Sequence, residues 1–243
     1  PVAELLSAAT QAGRGLGAVL RQMGRAAFSL RDRLSIDNWR TLNQLVQDPV
    51  FTRTASLPAA LNWLDRAVTT LVTLSGFALD GMTRGTDWRF MSIGRRIERL
   101  DFLALSIQSA MEAGHGSGLD WLLDLCDSTV TYRSRYMVAP EWLPVLDMLV
   151  RDDTHTRSIG FQLPGLLQMV QKIERLHGAF AGAMIAGPNE TLARLAPEEL
   201  SPDNEALRTL LADVRETVYR VSEAVTHTFF THAQPHSQIR VGM

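Results

Sequence analysis

The sequence holds a single cysteine, Cys126, and a single lysine, Lys172, in 243 residues. One thiol excludes an internal disulfide framework and is expected of a chain that works in a reducing, cytoplasmic compartment. Nowhere do the roughly 18 apolar residues of a membrane-spanning helix run together. The most apolar run, 71–79, is broken by Thr73, Ser75 and Gly76. No charged segment followed by an apolar core opens the chain, so no export signal is expected. Pro1 is not an initiator residue, which points to a piece of a longer protein. A basic excess is missing too. At a formal charge of -2 the chain has no general attraction for nucleic acid or an anionic membrane surface. Neither is expected as a partner. No segment alternates apolar and polar residues for long enough to suggest a strand.

What remains is helix. The apolar spacing predicts an all-α chain, a single domain over 1–243 folded as an antiparallel bundle of about six to eight helices. Glycines at 13, 15, 17 and 24 weaken 2–34 and predict a break there. Ser35 is placed to cap a short helix carrying Trp39, Leu42 and Leu45, and Ser56 with Pro58 opens a long one over 57–81. Asp87 is expected to cap a helix reaching Ala113, closed by the glycine-rich stretch 114–118. Further helices are expected over 119–137, from Pro140 to about 150, over 155–186 with a kink at Pro164 and Gly165, and over 203–232. The stretch 187–202 reads as a loop, and the tail after Pro235 as loose. Ile97-Glu98-Arg99-Leu100 recurs as Ile173-Glu174-Arg175-Leu176, too short a match to argue duplication.

Charges on apolar faces draw attention. In the helix from Asp87, Phe90, Ile93, Ile97, Leu100, Ala104, Ile107 and Met111 make a core stripe. Met91, Glu98, Phe102 and Leu105 share a second face, which predicts a helix sandwiched on two sides with Glu98 between them. A carboxylate held there needs a cation and donors. Arg133, at the centre of the stripe expected over 119–137, and Arg95, one turn before Glu98, are alternative partners. Arg84, Arg89, Arg96, Arg99, Asp127, Tyr132, Arg135 and Tyr136 are near enough in sequence to enlarge such a cluster. It would be either an ion-pair network that fixes helix register or an anion-binding or acid–base pocket. Cys126, within an apolar stripe, is expected to be a small core residue.

Other chemistries find little support. No glycine-rich phosphate loop follows a strand, so the chain is not expected to bind ATP itself. The histidines at 115, 155, 177, 227, 232 and 236 form no pair suited to metal on a clean helix, since Pro235 interrupts the one candidate spacing. No metal site is expected.

The runs Gly81-Met82-Thr83-Arg84-Gly85, Trp88-Arg89-Phe90 and Gly94-Arg95-Arg96-Ile97-Glu98-Arg99 resemble the signature of the bacterial alpha-E domain family. Asp127-Ser128, Thr131-Tyr132-Arg133, Arg135-Tyr136, Asp152, Arg157-Ser158 and Phe161-Gln162-Leu163 match it in order, and Arg31-Asp32-Arg33-Leu34-Ser35 with Trp39 fits its earlier segment. The resemblance covers nearly the whole chain. It implies that Glu98 is the family's characteristic glutamate and a candidate catalytic group. It also adds Asp152, Arg157 and Gln162 to the candidate substrate-binding residues. It implies a circularly permuted ATP-grasp partner, often with a transglutaminase-like protein nearby, and so ATP-dependent formation of amide or peptide bonds, with ATP and Mg supplied through the partner. The chain would be an accessory or substrate-binding module of that system, or else a non-catalytic bundle that docks on the ATP-grasp partner. Two departures matter. Family members usually begin with a further helix bearing a Gly-Arg-Tyr-x-Glu-Arg type motif, without which a shared site is incomplete and an apolar groove is left open. Pro164 and Gly165 fall where the family tends to continue a regular helix.

Overall fold

The computed structural model describes residues 2–52, 54–114 and 118–230. The expected closing turn at 115–117, the last residues of the final helix, the tail and His115, His232 and His236 lie outside the described residues. All regular structure among the described residues is helical: eleven α-helices with short 3₁₀ and π turns. The chain divides into two compact units, one up to Thr83 and one from Arg84.

The first unit holds α1 (Val2–Ala9), α2 (Leu16–Ser29), α3 (Ile36–Gln47) and α4 (Leu57–Gly81). Gly13, at φ +82°, makes the break between α1 and α2 where the glycines predict one. Ser35 and Ser56 accept from the backbone N–H groups of Asn38 and Ala59, so both expected caps are in place. The core is small: Leu20, Leu45, Trp63 and Ala67, with Phe51 set edge-on to Trp63 at 5.8 Å. α2 lies close on α3 because Gly24 offers no side chain to the Val46 methyls.

The second unit is built around α5 (Thr86–Ala113), which packs against α9 (Ile159–His177) and α11 (Glu205–Val225). Its buried residues, Ile93, Leu100, Leu103, Ala104, Ile107, Ala110 and Met111, follow the expected stripe. α5 starts on Gly85 without a side-chain cap, and Asp87 instead lies in its first turn, where a carboxylate suits the helix dipole.

The helix expected over 119–137 is two: α6 (Leu119–Leu125) and α7 (Thr129–Tyr136). Asp127 takes a left-handed conformation, φ 50°, and turns the chain between them. The break leaves Val130 and Met137, which a continuous helix over 119–137 would place on the same apolar stripe as Leu122 and Cys126, 83% and 84% exposed. Only Tyr132 of α7 is buried. α8 (Trp142–Leu146) runs into a π turn at Asp147–Arg151.

α9 passes through Pro164 as one helix and ends at Gly178, at φ +89°. The chain then enters α10 (Gly182–Arg194), so helix replaces much of the expected 187–202 loop. Glu174 makes that corner: one carboxylate oxygen accepts from the backbone N–H groups of Phe180, Ala181 and Gly182 at 2.8–3.0 Å. Burial alone would raise the Glu174 pKa, but these three donors outweigh it and hold it below the ordinary value. Asn204 caps α11 through Leu207 N–H.

Candidate functional site

α5 carries charge on two sides, and the two sides differ. Glu98 faces away from the core stripe and is exposed. It borders an open groove of about 510 Å³ between α5 and α11, with Asp101, Arg215, Glu216 and Tyr219. Among the described residues it has neither a hydrogen bond nor an ion pair, so the expected pairing with Arg133 or Arg95 is not formed. The physical reason is that the buried residues of α5 fall along one stripe, the one its packing against α9 and α11 covers. The face expected to be its second buried side is open, with Phe102 and Leu105 44% and 43% exposed. The α6–α7 break also leaves Arg133 exposed. Across the groove, Arg215 donates from Nε to Asp101 at 2.9 Å, a bridge between α5 and α11 that sequence reading did not identify.

On the α9 side of α5 the arginines gather. Arg96 donates from Nη1 to Gln162 Oε1 at 3.0 Å and to the Phe161 carbonyl at 3.2 Å, and its guanidinium lies 5.2 Å over the Phe161 ring. This approach depends on Gly165: a Cβ there would lie 2.3–2.4 Å from the guanidinium Nη1 and Cζ. Gln162, buried, is fixed from its other end by donating from Nε2 to the Thr156 carbonyl. Burial lowers the Arg96 pKa. Arg95 and Arg99 stand one turn apart on the same helix, and Arg157 precedes the first turn of α9. Burial, then Arg157, Arg95 and Arg96, all lower the Arg99 pKa. Neither Arg95 nor Arg99 has a hydrogen-bond or ion-pair partner among the described residues. Arg157 pairs with Asp127 at 2.9 Å.

A second, neighbouring cluster is fully partnered. Asp152 accepts at Oδ1 from Thr154 N–H at 2.8 Å, Thr154 Oγ1 at 2.7 Å and His155 N–H at 3.2 Å, and at Oδ2 from Arg135. Burial would raise its pKa, but the Thr154 hydroxyl, Arg135 and the Thr154 backbone overcome it and hold the carboxyl at about 2. Its backbone carbonyl accepts from the hydroxyl of Ser158, which also caps α9 through Phe161 N–H. Ser128, fully buried, donates its one hydroxyl proton to the Cys126 carbonyl at 2.9 Å and meets His155 Nε2 at 2.9 Å. His155 therefore donates from Nε2, so it does not act as a base toward Ser128. Sealed from solvent, the two hold α7 to the α9 approach. Burial also pushes the Cys126 thiol up to about 12, which fits an inert core residue.

Of the other candidates, Tyr132 is a structural residue: its hydroxyl donates to the Ala139 carbonyl and accepts from Glu141 N–H, both at 3.2 Å, and its ring packs on Tyr136. Burial, then Asp147, raises the Tyr136 pKa. Arg84 stacks on Trp88 with its guanidinium carbon 4.5 Å from the ring centroid, and Arg89 is half-buried on α5. The structure thus brings together Arg95, Arg96, Arg99, Arg157, Asp127 and Gln162, and separately Arg135, Asp152 and Tyr136. Among the described residues Glu98, Arg89 and Arg133 make no hydrogen bond or ion pair with either group. Ser128, His155 and Gly165 were not among the candidates. The run Asp152-Asp153-Thr154-His155 ahead of Ser158 has the form of an Asx turn followed by an N-cap, and that signal was readable.

His155 gives this cluster a pH dependence. Burial lowers its pKa below the ordinary 6.5, the nearby Asp152 and Asp127 raising it and Arg135 and Arg157 lowering it further. The unfolded chain binds this proton more readily, so the contribution is complete above pH 6.5 and is lost as the pH falls below that value. Asp152 adds a second loss between its ordinary 3.8 and about 2. Melting temperature followed from pH 8 to 5 is expected to fall in the wild type and to fall less in His155→Gln. Parallel curves would show that His155 is not the group responsible.

Among the described residues no group of three or more histidine, cysteine or acidic side chains could hold a metal ion, and no helix is long and apolar enough to cross a membrane. A family model for the Alpha-E domain, a predicted alpha-helical domain with a conserved ER motif, matches residues 2–230. Glu98-Arg99 and Glu174-Arg175 are the Glu-Arg pairs of this sequence. Proteins described as uncharacterised from Mycobacterium tuberculosis and Mycobacterium bovis are 28% identical over 222 residues, covering 84% of this chain and 25% of each relative. The chain thus spans about a quarter of the length of the curated relatives it matches. No solved structure matches it. With a family model running from α1 to the turn after α11, through both candidate clusters, the chain belongs to the Alpha-E domain family.

Proposed function

We propose that this chain is a substrate-holding helical module of an ATP-dependent carboxylate–amine ligase system, with the Arg95, Arg96, Arg99 and Arg157 cluster holding an anionic group of the substrate. The observation that carries it is Arg99, half-buried among three other guanidinium groups and without an acidic partner among the described residues. Such an arrangement works against stability, because the cations repel one another and burial removes part of their hydration. A bound anion would relieve both, and cations so placed concentrate at binding sites. ATP and Mg would come through the circularly permuted ATP-grasp partner in the cytoplasm, with a transglutaminase-like protein as a further associate. Glu98, exposed on the other side of α5, is better suited to meeting an incoming group or partner than to organising the arginines.

The test uses ligase output of the complete system. Arg99→Gln is expected to lower output at least about tenfold, a loss of the size that follows removal of a charge-assisted hydrogen bond, and to melt no lower than the wild type. Glu98→Gln should leave stability within about 0.5 kcal/mol, as for an exposed, unpartnered side chain. Unchanged output in Arg99→Gln would remove the site. The open face of α5 with Phe102 and Leu105 favours a second reading, a non-catalytic bundle that docks on its partner. On that reading Leu105→Arg breaks association while Arg99→Gln leaves output intact.

A further inference from the structure

The cluster beside α9 has a charge balance that narrows its ligand. Four guanidinium groups, Arg95, Arg96, Arg99 and Arg157, stand against one carboxylate, Asp127, which is bonded to Arg157. The hydrogen-bond acceptors around Arg96 are a side-chain amide and backbone carbonyls, which orient the guanidinium without cancelling its charge. The cluster therefore keeps an excess of three positive charges. The start of α9 adds to it, since Arg96 reaches the first helical turn, where the dipole is positive. A single carboxylate would leave most of this excess unanswered.

We propose that the ligand held here is a multiply charged phosphoryl-bearing anion, with Arg95, Arg99 and Arg157 as its direct contacts and Arg96 held beside them by Gln162 and Phe161. This rests on the anion-holding reading above and adds the substrate class. Planar guanidinium groups present paired N–H donors that match two oxygens of one phosphoryl group, and a phosphate monoester brings nearly two charges at neutral pH. Arg95 and Arg99, on successive turns of one helix face, and Arg157, from the segment just before α9, approach from two parts of the chain, which suits a tetrahedral group more than a flat carboxylate. Arg96 is immobilised by hydrogen bonds and by the space left at Gly165. It contributes a fixed positive charge without having to reorient when the ligand arrives.

Binding of inorganic phosphate, pyrophosphate, L-glutamate and acetate to the protein, measured by calorimetry at constant ionic strength, tests this. Saturable binding is expected for pyrophosphate and phosphate, at least about tenfold tighter for pyrophosphate than for acetate, and weakened at least about tenfold by Arg99→Gln and by Arg157→Gln. Circular dichroism confirms the fold of each variant. Arg99→Lys, which keeps the charge but loses the fork, replaces the glutamine variant should that one not fold, and is expected to weaken pyrophosphate binding. Glutamate binding as tightly as pyrophosphate, with both depending on Arg99, would overturn the phosphoryl assignment and leave the anion site standing. Pyrophosphate binding that ignores both arginines would overturn it as well. No Arg99-dependent binding of any of the four would overturn the site and the assignment together.

Discussion

Gly160→Ala is expected to destabilise the second unit by about 2–3 kcal/mol, the range for forcing atoms into a filled core, although it adds a single methyl to a helix. In an exposed helix the same change stabilises by about 0.5–1 kcal/mol. The sign reverses here because a Cβ at Gly160 would lie 2.4 Å from the Arg151 carbonyl oxygen and 2.8 Å from its carbon. Those are backbone atoms at the end of the π turn, and no rotamer moves them aside. Either α9 or the turn must retreat, and with it the approach that carries His155 and Ser158. Gly94, on α5 with nothing within 4 Å of its Cβ position, is the control. Gly94→Ala should raise stability in the urea titration that shows Gly160→Ala lowering it. Equal effects at the two positions would mean that the 151–160 contact is not tight in solution.

The second large effect is expected at Asp152. Asp152→Ala should cost about 1–3 kcal/mol, since it removes the acceptor shared by the Thr154 hydroxyl and two backbone N–H groups, whereas Arg135→Ala should cost no more than about 1 kcal/mol, as exposed pairs do. The asymmetry follows from what each group holds. The Arg135 side chain is 39% exposed and can return to water; the Asp152 side chain is 13% exposed and fixes Thr154 and the His155 backbone as well. Chemical denaturation of both variants and of the double variant separates the contributions. Were Arg135→Ala to cost as much as Asp152→Ala, the ion pair rather than the turn would be the main element.

Helix content and several boundaries were readable because local chemistry decides them. Ser35 and Ser56 with Pro58 mark starts that depend only on the next turn of chain. Gly13 marks a stop for the same reason. The division at Asp127 was not readable, because no glycine or proline stands there and an aspartate adopts the left-handed conformation. Gly187-Pro188 resembles a helix stop, yet α10 begins upstream at Gly182 and carries Pro188 within it. That Glu98 is exposed rather than covered has a different origin. A face with Met91, Phe102 and Leu105 looks alike in sequence whether packing covers it or leaves it open. Residue types at the candidate site were legible, since arginines on a packing helix are unusual. Their partners were not: Gln162 and Phe161 meet Arg96 from 66 and 65 positions away, and Asp127 meets Arg157 across 30. The docking of α9 against α5 makes the Arg96 contacts, and the approach of the segment before α9 to the α6–α7 turn makes the Asp127–Arg157 pair.

The bare backbone at position 165 has a consequence for how the arginine cluster could be tuned. The guanidinium of Arg96 occupies the volume that any other residue's first side-chain carbon would claim. Positions 96 and 165 therefore behave as one steric unit across two helices, although only one of them is charged. A methyl added on α9 would push a cation on α5 out of place without altering a single formal charge. On the proposed anion-holding reading, affinity would thus be graded from the neutral helix, while the charged one keeps its sequence.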